Sequence, residues 1–381
     1  MEFITTTQQQ EYAAAVIFSV CNIDATSRGN LPEAYVERDG DGNVIALVDL
    51  GQETSTTTGK DTEPISHWDM PPAIGELQNL QKLAIYNCRS LPPSIGNLTQ
   101  LKELSLHFCS QMRSLPPEMA NLYNLQDVRI HGDTAMNRLI PCLQMLPNLR
   151  FLYYRSMNGM DKFMLRENLI DDLLDPSVRF KKSLEILDIE GGDLLEEDVA
   201  KIFSKVLPQY PKLQRIFIPN NLIRSLTPII KAQPKVIPPT IRLRQLNLLG
   251  NPVLHRTFVE RDDVPIEQAN LLRLVALHEE LVNLGRGITE SEVCTTETLL
   301  MLDLNEGGRV LLSKRFRPIP LSVWPIVLER ANRMQGYHPS NNIVYHLLRH
   351  GPALGKRDWG NDKCMTAATT LNGKKRKSNE L

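Results

Sequence analysis

The sequence predicts an α/β solenoid: short parallel strands stacked into one sheet, a hairpin over the first strand and helices over the last. Three observations predict it. A phrase recurs as Leu91-Pro92-Pro93-Ser94-Ile95-Gly96-Asn97-Leu98, as Leu115-Pro116-Pro117-Glu118-Met119-Ala120-Asn121-Leu122, and in part as Met70-Pro71-Pro72-Ala73-Ile74-Gly75. Each copy runs into an L-x-x-L-x-L core, and that core continues to recur further along the chain. No single copy can bury its own apolar edge, so the copies must stack to share a continuous core.

The cores align as Leu80/Leu83/Ile85, Leu101/Leu104/Leu106, Leu125/Val128/Ile130, Leu149/Leu152/Tyr154, Leu184/Leu187/Ile189, Leu213/Ile216/Ile218 and Leu243/Leu246/Leu248. Their first leucines are 21, 24, 24, 35, 29 and 30 residues apart, so the early units are short and the later ones carry an insertion or a fuller helix. Glu196 to Leu207 shows that helix, with Val199, Ile202, Phe203, Val206 and Leu207 at helical spacing. The eighth position is Cys88, Cys109, Asn221 and Asn251 in four units, where a small polar side chain can bond to turn backbone. Asp133, Met157 and Gly192 depart from that pattern, which predicts a less regular middle. Asn251-Pro252 reads as the end of the array, because Pro252 would stop a further ladder strand.

These motifs, over roughly residues 70 to 252, resemble those of leucine-rich repeat proteins, and the Leu-Pro-Pro-Ser-Ile-Gly-Asn-Leu phrase is most similar to intracellular plant-type and Ras-binding-type repeats. The resemblance implies a horseshoe with a parallel concave sheet, and a binding surface in place of a catalytic pocket.

Four segments are expected: residues 1–68 as N-terminal cap and Thr-rich loop, 69–264 as about seven repeats, 265–355 as helical C-terminal cap or docking module, and 356–381 as a basic disordered tail. In the first, Ala34-Tyr35-Val36 and Val44 to Leu50 flank the turn Asp39-Gly40-Asp41-Gly42-Asn43, which reads as a hairpin leading into a degenerate first strand. A calcium loop beginning at Asp39 fails, since Val44 stands where glycine is needed and Leu50 where glutamate is needed. Gln52 to Thr62 reads as a surface loop.

After the repeats, Pro265 to Leu284 reads as a helix with an apolar stripe of Leu271, Leu272, Leu274, Val275, Leu281, Val282 and Leu284, stopped by Gly285. Leu299 to Leu312 should turn at Asn305-Glu306-Gly307-Gly308; further helices are expected near Pro320 and over Ile343 to Arg349. The tail from Pro320 to Arg349 resembles that of uncharacterised leucine-rich repeat proteins of unicellular algae, a likeness that implies no activity. Ile319 to Trp324 has a loose likeness to the docking boxes of ubiquitin-ligase substrate receptors, so residues 313–350 are the alternative functional element. Lys374-Lys375-Arg376-Lys377 has the composition of a nuclear-localisation signal.

Composition narrows the classes. With 43 Lys+Arg against 44 Asp+Glu, the net charge of −1 argues against nucleic-acid binding. The six cysteines (21, 88, 109, 142, 294, 364) show no C-x-x-C, which reads as reduced thiols in an intracellular, cytoplasmic or nuclear protein. The apolar run Tyr12 to Cys21 falls short of the roughly 20 residues a membrane helix needs. His278-Glu279-Glu280-Leu281-Val282 lacks the second histidine of a zinc-protease motif, and no phosphate-binding loop, nucleophile elbow or kinase signature appears. No enzyme activity, cofactor or metal is expected.

The expected function is a non-catalytic scaffold or adaptor. In L-x-x-L-x-L the residues flanking the third core position point away from the core, forming two ladders across the strands. Tyr86, His107, Arg129, His131, Tyr153 and Arg155 then make an aromatic and cationic patch, Asp188 and Glu190 an acidic step, and Phe217 an apolar one. This patch should take a protein partner on the concave face, one with an acidic segment, and bind it more tightly below about pH 6.5 as His107 and His131 gain charge. A GTPase activator using Arg129 or Arg155 is a third possibility.

Overall fold

The computed structural model describes residues 6–20, 35–51, 67–132 and 143–155. It also describes 169–285 apart from 235–237, 239, 255–261 and 279, and then single positions between 291 and 305. The Thr-rich loop, Asp133, Met157, the tail from Pro320 to Arg349, the docking box and the basic run Lys374–Lys377 lie outside these residues. The chain divides into two compact units, Met1–Leu194 with Lys205–Leu213, and Leu195–Ser204 with Gln214 onward.

The first unit is built on β1 (Val36–Arg38), β2 (Val44–Leu50), β4 (Lys82–Tyr86), β6 (Glu103–His107), β7 (Asp127–His131), β8 (Phe151–Arg155) and β9 (Ile186–Glu190), hydrogen-bonded in that order. β1 and β2 are antiparallel, the expected hairpin, and from β2 onward every pairing is parallel. The turn between them is closed by Asp39, whose carboxylate accepts bonds from the Asp41 and Asn43 amides and the Asn43 side chain. β3 (Trp68–Asp69) and β5 (Cys88–Ser90) form a small second parallel sheet.

The aligned core positions are the core. Leu80, Leu83, Ile85, Leu101, Leu104, Leu106, Leu125, Val128, Ile130, Leu149, Leu184 and Leu187 are fully buried. Strand alternation sends them to one side, and the one-to-one register stacks each on its equivalent in the next repeat. The eighth-position side chains bond backbone as expected: Cys88 Sγ to Ser90 O, Cys109 Sγ to His107 O, and in the second unit Asn251 Nδ2 to Ile218 O and Leu248 O.

The Leu-Pro-Pro phrase makes 3₁₀ turns at Pro72–Glu76, Pro93–Asn97 and Pro117–Asn121. The second proline starts each turn, where its missing N–H costs nothing. Ile74, Ile95 and Met119 point into the core. A Cβ on Gly75 would come within 2.8 Å of Ser94 Cβ, and one on Gly96 within 2.6 Å of Glu118 O. The glycine of the phrase therefore lets consecutive turns pack directly on one another.

A helix unforeseen in the sequence reading, α1 (Thr6–Val20), covers the first repeat. It buries Ala13, Ala14, Ile17 and Phe18 against β2 and the first 3₁₀ turn, and Gln10 Oε1 accepts the Val44 amide at 3.0 Å.

α2 (Glu196–Lys201) of the second unit continues along the chain through a π turn (Ile202–Val206) into a 3₁₀ turn (Leu207–Gln209) whose residues belong to the first unit, and Val199, Ile202, Phe203, Val206 and Leu207 are buried as expected. α2 packs on α3 (Thr227–Ala232), and α3 on α4 (Val264–Leu277). β10 (Arg215–Phe217) and β11 (Gln245–Asn247) pair in parallel.

Two expectations are corrected here. The helix expected to reach Leu284 stops at Leu277, and Pro252 does not end the ladder. Asn283 forms a parallel bridge with Gln245, its carbonyl accepting the Leu246 amide at 2.8 Å, while Val282 N donates to Arg244 O. Leu281 and Leu284 are buried like the leucines of the preceding strand. Leu281, Val282 and Leu284 thus belong to a degenerate further repeat, and their spacing suits a helix face or a strand equally.

Candidate partner-binding face

The side of the first unit's sheet opposite the core is organised in columns by strand register. Tyr86, His107, His131, Arg155 and Glu190 form one column, Ala84, Ser105, Arg129, Tyr153 and Asp188 a second, and Lys82, Glu103, Asp127, Phe151 and Ile186 a third. Eight of the nine expected site residues therefore lie together, on β4 to β9. Phe217 lies half-buried on β10 of the second unit, beside Asn247.

The first column is an aromatic stack. The Tyr86 and His107 rings lie 4.3 Å apart at 11°, and the His107 and His131 rings 4.6 Å apart at 44°. Burial raises the pKa of the Tyr86 hydroxyl, and the Asp49 carboxylate, which accepts its hydrogen bond, adds to the rise. The next strand sets Arg129 over the Tyr153 ring at 5.1 Å, a cation–π contact.

The stack changes the charge of the patch. Burial, aided by the neighbouring His131, lowers the His107 pKa to about 4, and burial with Arg155 and Arg129 lowers that of His131. Burial thus favours the neutral His107 imidazole at physiological pH, which opposes the expected gain in binding through its protonation near pH 6.5. Both arginines of the patch are ion-paired. Arg129 grips Asp127 with Nε and Nη2, the shorter contact 2.6 Å. Arg155 Nη2 donates to Asp188 Oδ2 at 3.1 Å, with Glu190 3.3 Å from its Nε. Asp188, expected at the surface, is 1% exposed; desolvation raises its pKa and the Arg155 guanidinium opposes that rise.

Phe108 was missed. It is 42% exposed, adopts φ +53°, and approaches the Tyr86 ring at 6.3 Å. The equivalent positions include Asn87, Gly132, Gly191, Asn220 and Gly250, all at positive φ and all residue types that tolerate it. A phenylalanine is strained in that conformation. Gly132 makes room for it, since a Cβ there would come within 2.7 Å of Phe108 Cδ1. The repeat alignment already placed Phe108 in that column, one residue before Cys109.

Among the described residues no group of three or more His, Cys, Asp or Glu could hold a metal ion, and no helix is long and apolar enough to cross a membrane. Cys88, Cys109 and Cys294 are free thiols, and burial pushes Cys88 to about 12 and Cys109 to about 11.

The family described as leucine-rich repeat region matches residues 63–257, just over half of the chain. No curated protein matches. A leucine-rich repeat protein from Bacteroides eggerthii is 13% identical with a TM-score of 0.44, covering 66% of this chain and 54% of its own. One from Bacteroides thetaiotaomicron is 12% identical with a TM-score of 0.42, covering 65% and 41%. The ectodomain of the receptor kinase SOBIR1 from Arabidopsis thaliana is 20% identical with a TM-score of 0.24, covering 39% and 82%. The chain thus spans about half the length of the first two structures.

Proposed function

The chain belongs to the leucine-rich repeat family, and on that premise we propose that it is a non-catalytic interaction scaffold whose protein partner lies across the strand face from β4 to β9. One observation carries this reading: successive strands hold Tyr86, His107, His131 and Tyr153 in fixed register, with the strained Phe108 at their edge. Tyrosine and arginine are enriched at binding hot spots, and residues locked by stacking and ion pairs lose little entropy when a partner docks. Reduced, buried Cys88 and Cys109 support an intracellular setting. Recruitment of an enzyme through residues 313–350, and nuclear entry through Lys374–Lys377, draw no support from the described residues.

Differential capture tests the reading. Removing Arg129 or Arg155 would strand Asp127 or Asp188 as unpaired buried carboxylates and destabilise the fold, so the informative variant is Phe108→Asn/Tyr153→Ser. Partners held by the intact chain should be lost, with the thermal midpoint retained. Partners retained by the variant would move the site off this face.

A further inference from the structure

We propose that the partner segment received by the strand face is basic: a stretch carrying several lysines or arginines, laid across β2 to β9. The proposal rests on the scaffold reading above and adds the sign of the partner's charge. Along the three register columns and Asp49, the face carries five carboxylates, Asp49, Glu103, Asp127, Asp188 and Glu190, against three cations, Lys82, Arg129 and Arg155. Two negative charges are in excess, because the neutral His107 contributes none.

Both arginines of the face already have acidic partners. Arg129 is engaged by Asp127, and Arg155 serves Asp188 and Glu190 together. Their charges are largely neutralised by these carboxylates, which leaves an acidic partner segment less to gain on this face. On the acidic side, Glu103 is 46% exposed and meets Lys82 only at 3.7 Å, a surface pair worth little. Asp49 and Glu190 are half-buried at the two ends of the aromatic column. The edges of the stacked rings and Tyr153 offer flat apolar area to the stems of lysine or arginine, while the carboxylates meet the charged heads.

The test uses the full chain and two fluorescent 12-residue Gly-Ser peptides, one carrying four lysines and one four glutamates, read by anisotropy at low salt. The lysine peptide should bind, and weaken at least tenfold between about 50 and 300 mM salt. Asp49→Asn/Glu103→Gln/Glu190→Gln should weaken it by about tenfold, and Lys82→Gln should tighten it, a gain that misfolding cannot mimic. Preference for the glutamate peptide, or no response to either variant, would overturn the proposal. So would binding that appears only after Lys374, Lys375, Arg376 and Lys377 are changed to alanine, which would assign the face to the chain's own tail. Each of these outcomes leaves the capture experiment with Phe108→Asn/Tyr153→Ser to judge the scaffold reading separately.

Discussion

Tyr86 and His107 stack 4.3 Å apart and 11° from parallel, on adjacent strands whose register pairs them directly. The stack fixes the protonation of the histidine as well as its position. A cation between a tyrosine ring, a second imidazole and Arg129 would be desolvated and repelled, and the His107 pKa falls to about 4.

A pH signature follows. The folded pKa lies below the ordinary histidine value of 6.5, so the unfolded chain binds this proton more readily. The contribution of His107 to stability is then fully present above pH 6.5 and is lost as pH falls through the interval down to about 4. Chemical denaturation between pH 7 and 5 should show decreasing stability, and His107→Phe should flatten that slope. NMR titration of His107 with a midpoint near 6.5 would contradict the stack.

Cys88 and Cys109 should resist alkylation at pH 8 in the native protein, because burial pushes their thiols to about 12 and about 11. Peptide mapping by mass spectrometry should show label at these positions only after denaturant is added. Rapid native labelling would mean that this part of the core opens.

Phe108→Asn should leave stability unchanged or raise it by up to about 1 kcal/mol, since it relieves a left-handed phenylalanine at a position occupied by asparagine in Asn87 and Asn220. The same change should weaken partner binding. A marked loss of stability would make the Phe108 ring a packing element.

Asn305 Nδ2 donates to Val275 O, His278 O and Leu281 O at 3.1, 3.1 and 2.8 Å, closing the end of α4 onto the last ladder position. Asn305→Ala should cost about 2 kcal/mol, the penalty for leaving buried carbonyls without a donor. The amides of Leu281 and Val282 should exchange faster with solvent, read by hydrogen exchange, with those of β4 to β7 unchanged.

The core register was readable in the sequence because alternation along a strand converts L-x-x-L-x-L directly into a buried side and an outward side. The cysteine and asparagine positions followed from the same alignment. The end of α4 was not readable, because Leu281, Val282 and Leu284 satisfy both periods and only the bridge to Gln245 decides between them. α1 was within reach of the sequence, since Thr6 and Thr7 stand three residues before Gln9 and Gln10 and Ala13 to Ala15 favour a helix, while burial of Ile17 and Phe18 holds it in place. The charge of the patch was misread for a different reason. Sequence counts ionisable residues, whereas burial decides which of them ionise. Asp127 and Arg129 sit two apart on one strand and hence on one face, so their pairing was within reach of the alignment.

The central claim is that a protein partner lies on the strand face. It is tested most directly by site-specific photo-crosslinking, with benzoyl-phenylalanine placed at Ser105 in the middle of that face or at Tyr123, 54% exposed beside a 3₁₀ turn. The account predicts a partner adduct from position 105 and none from position 123. Adducts from position 123 alone would contradict it and put the binding surface away from the strand face.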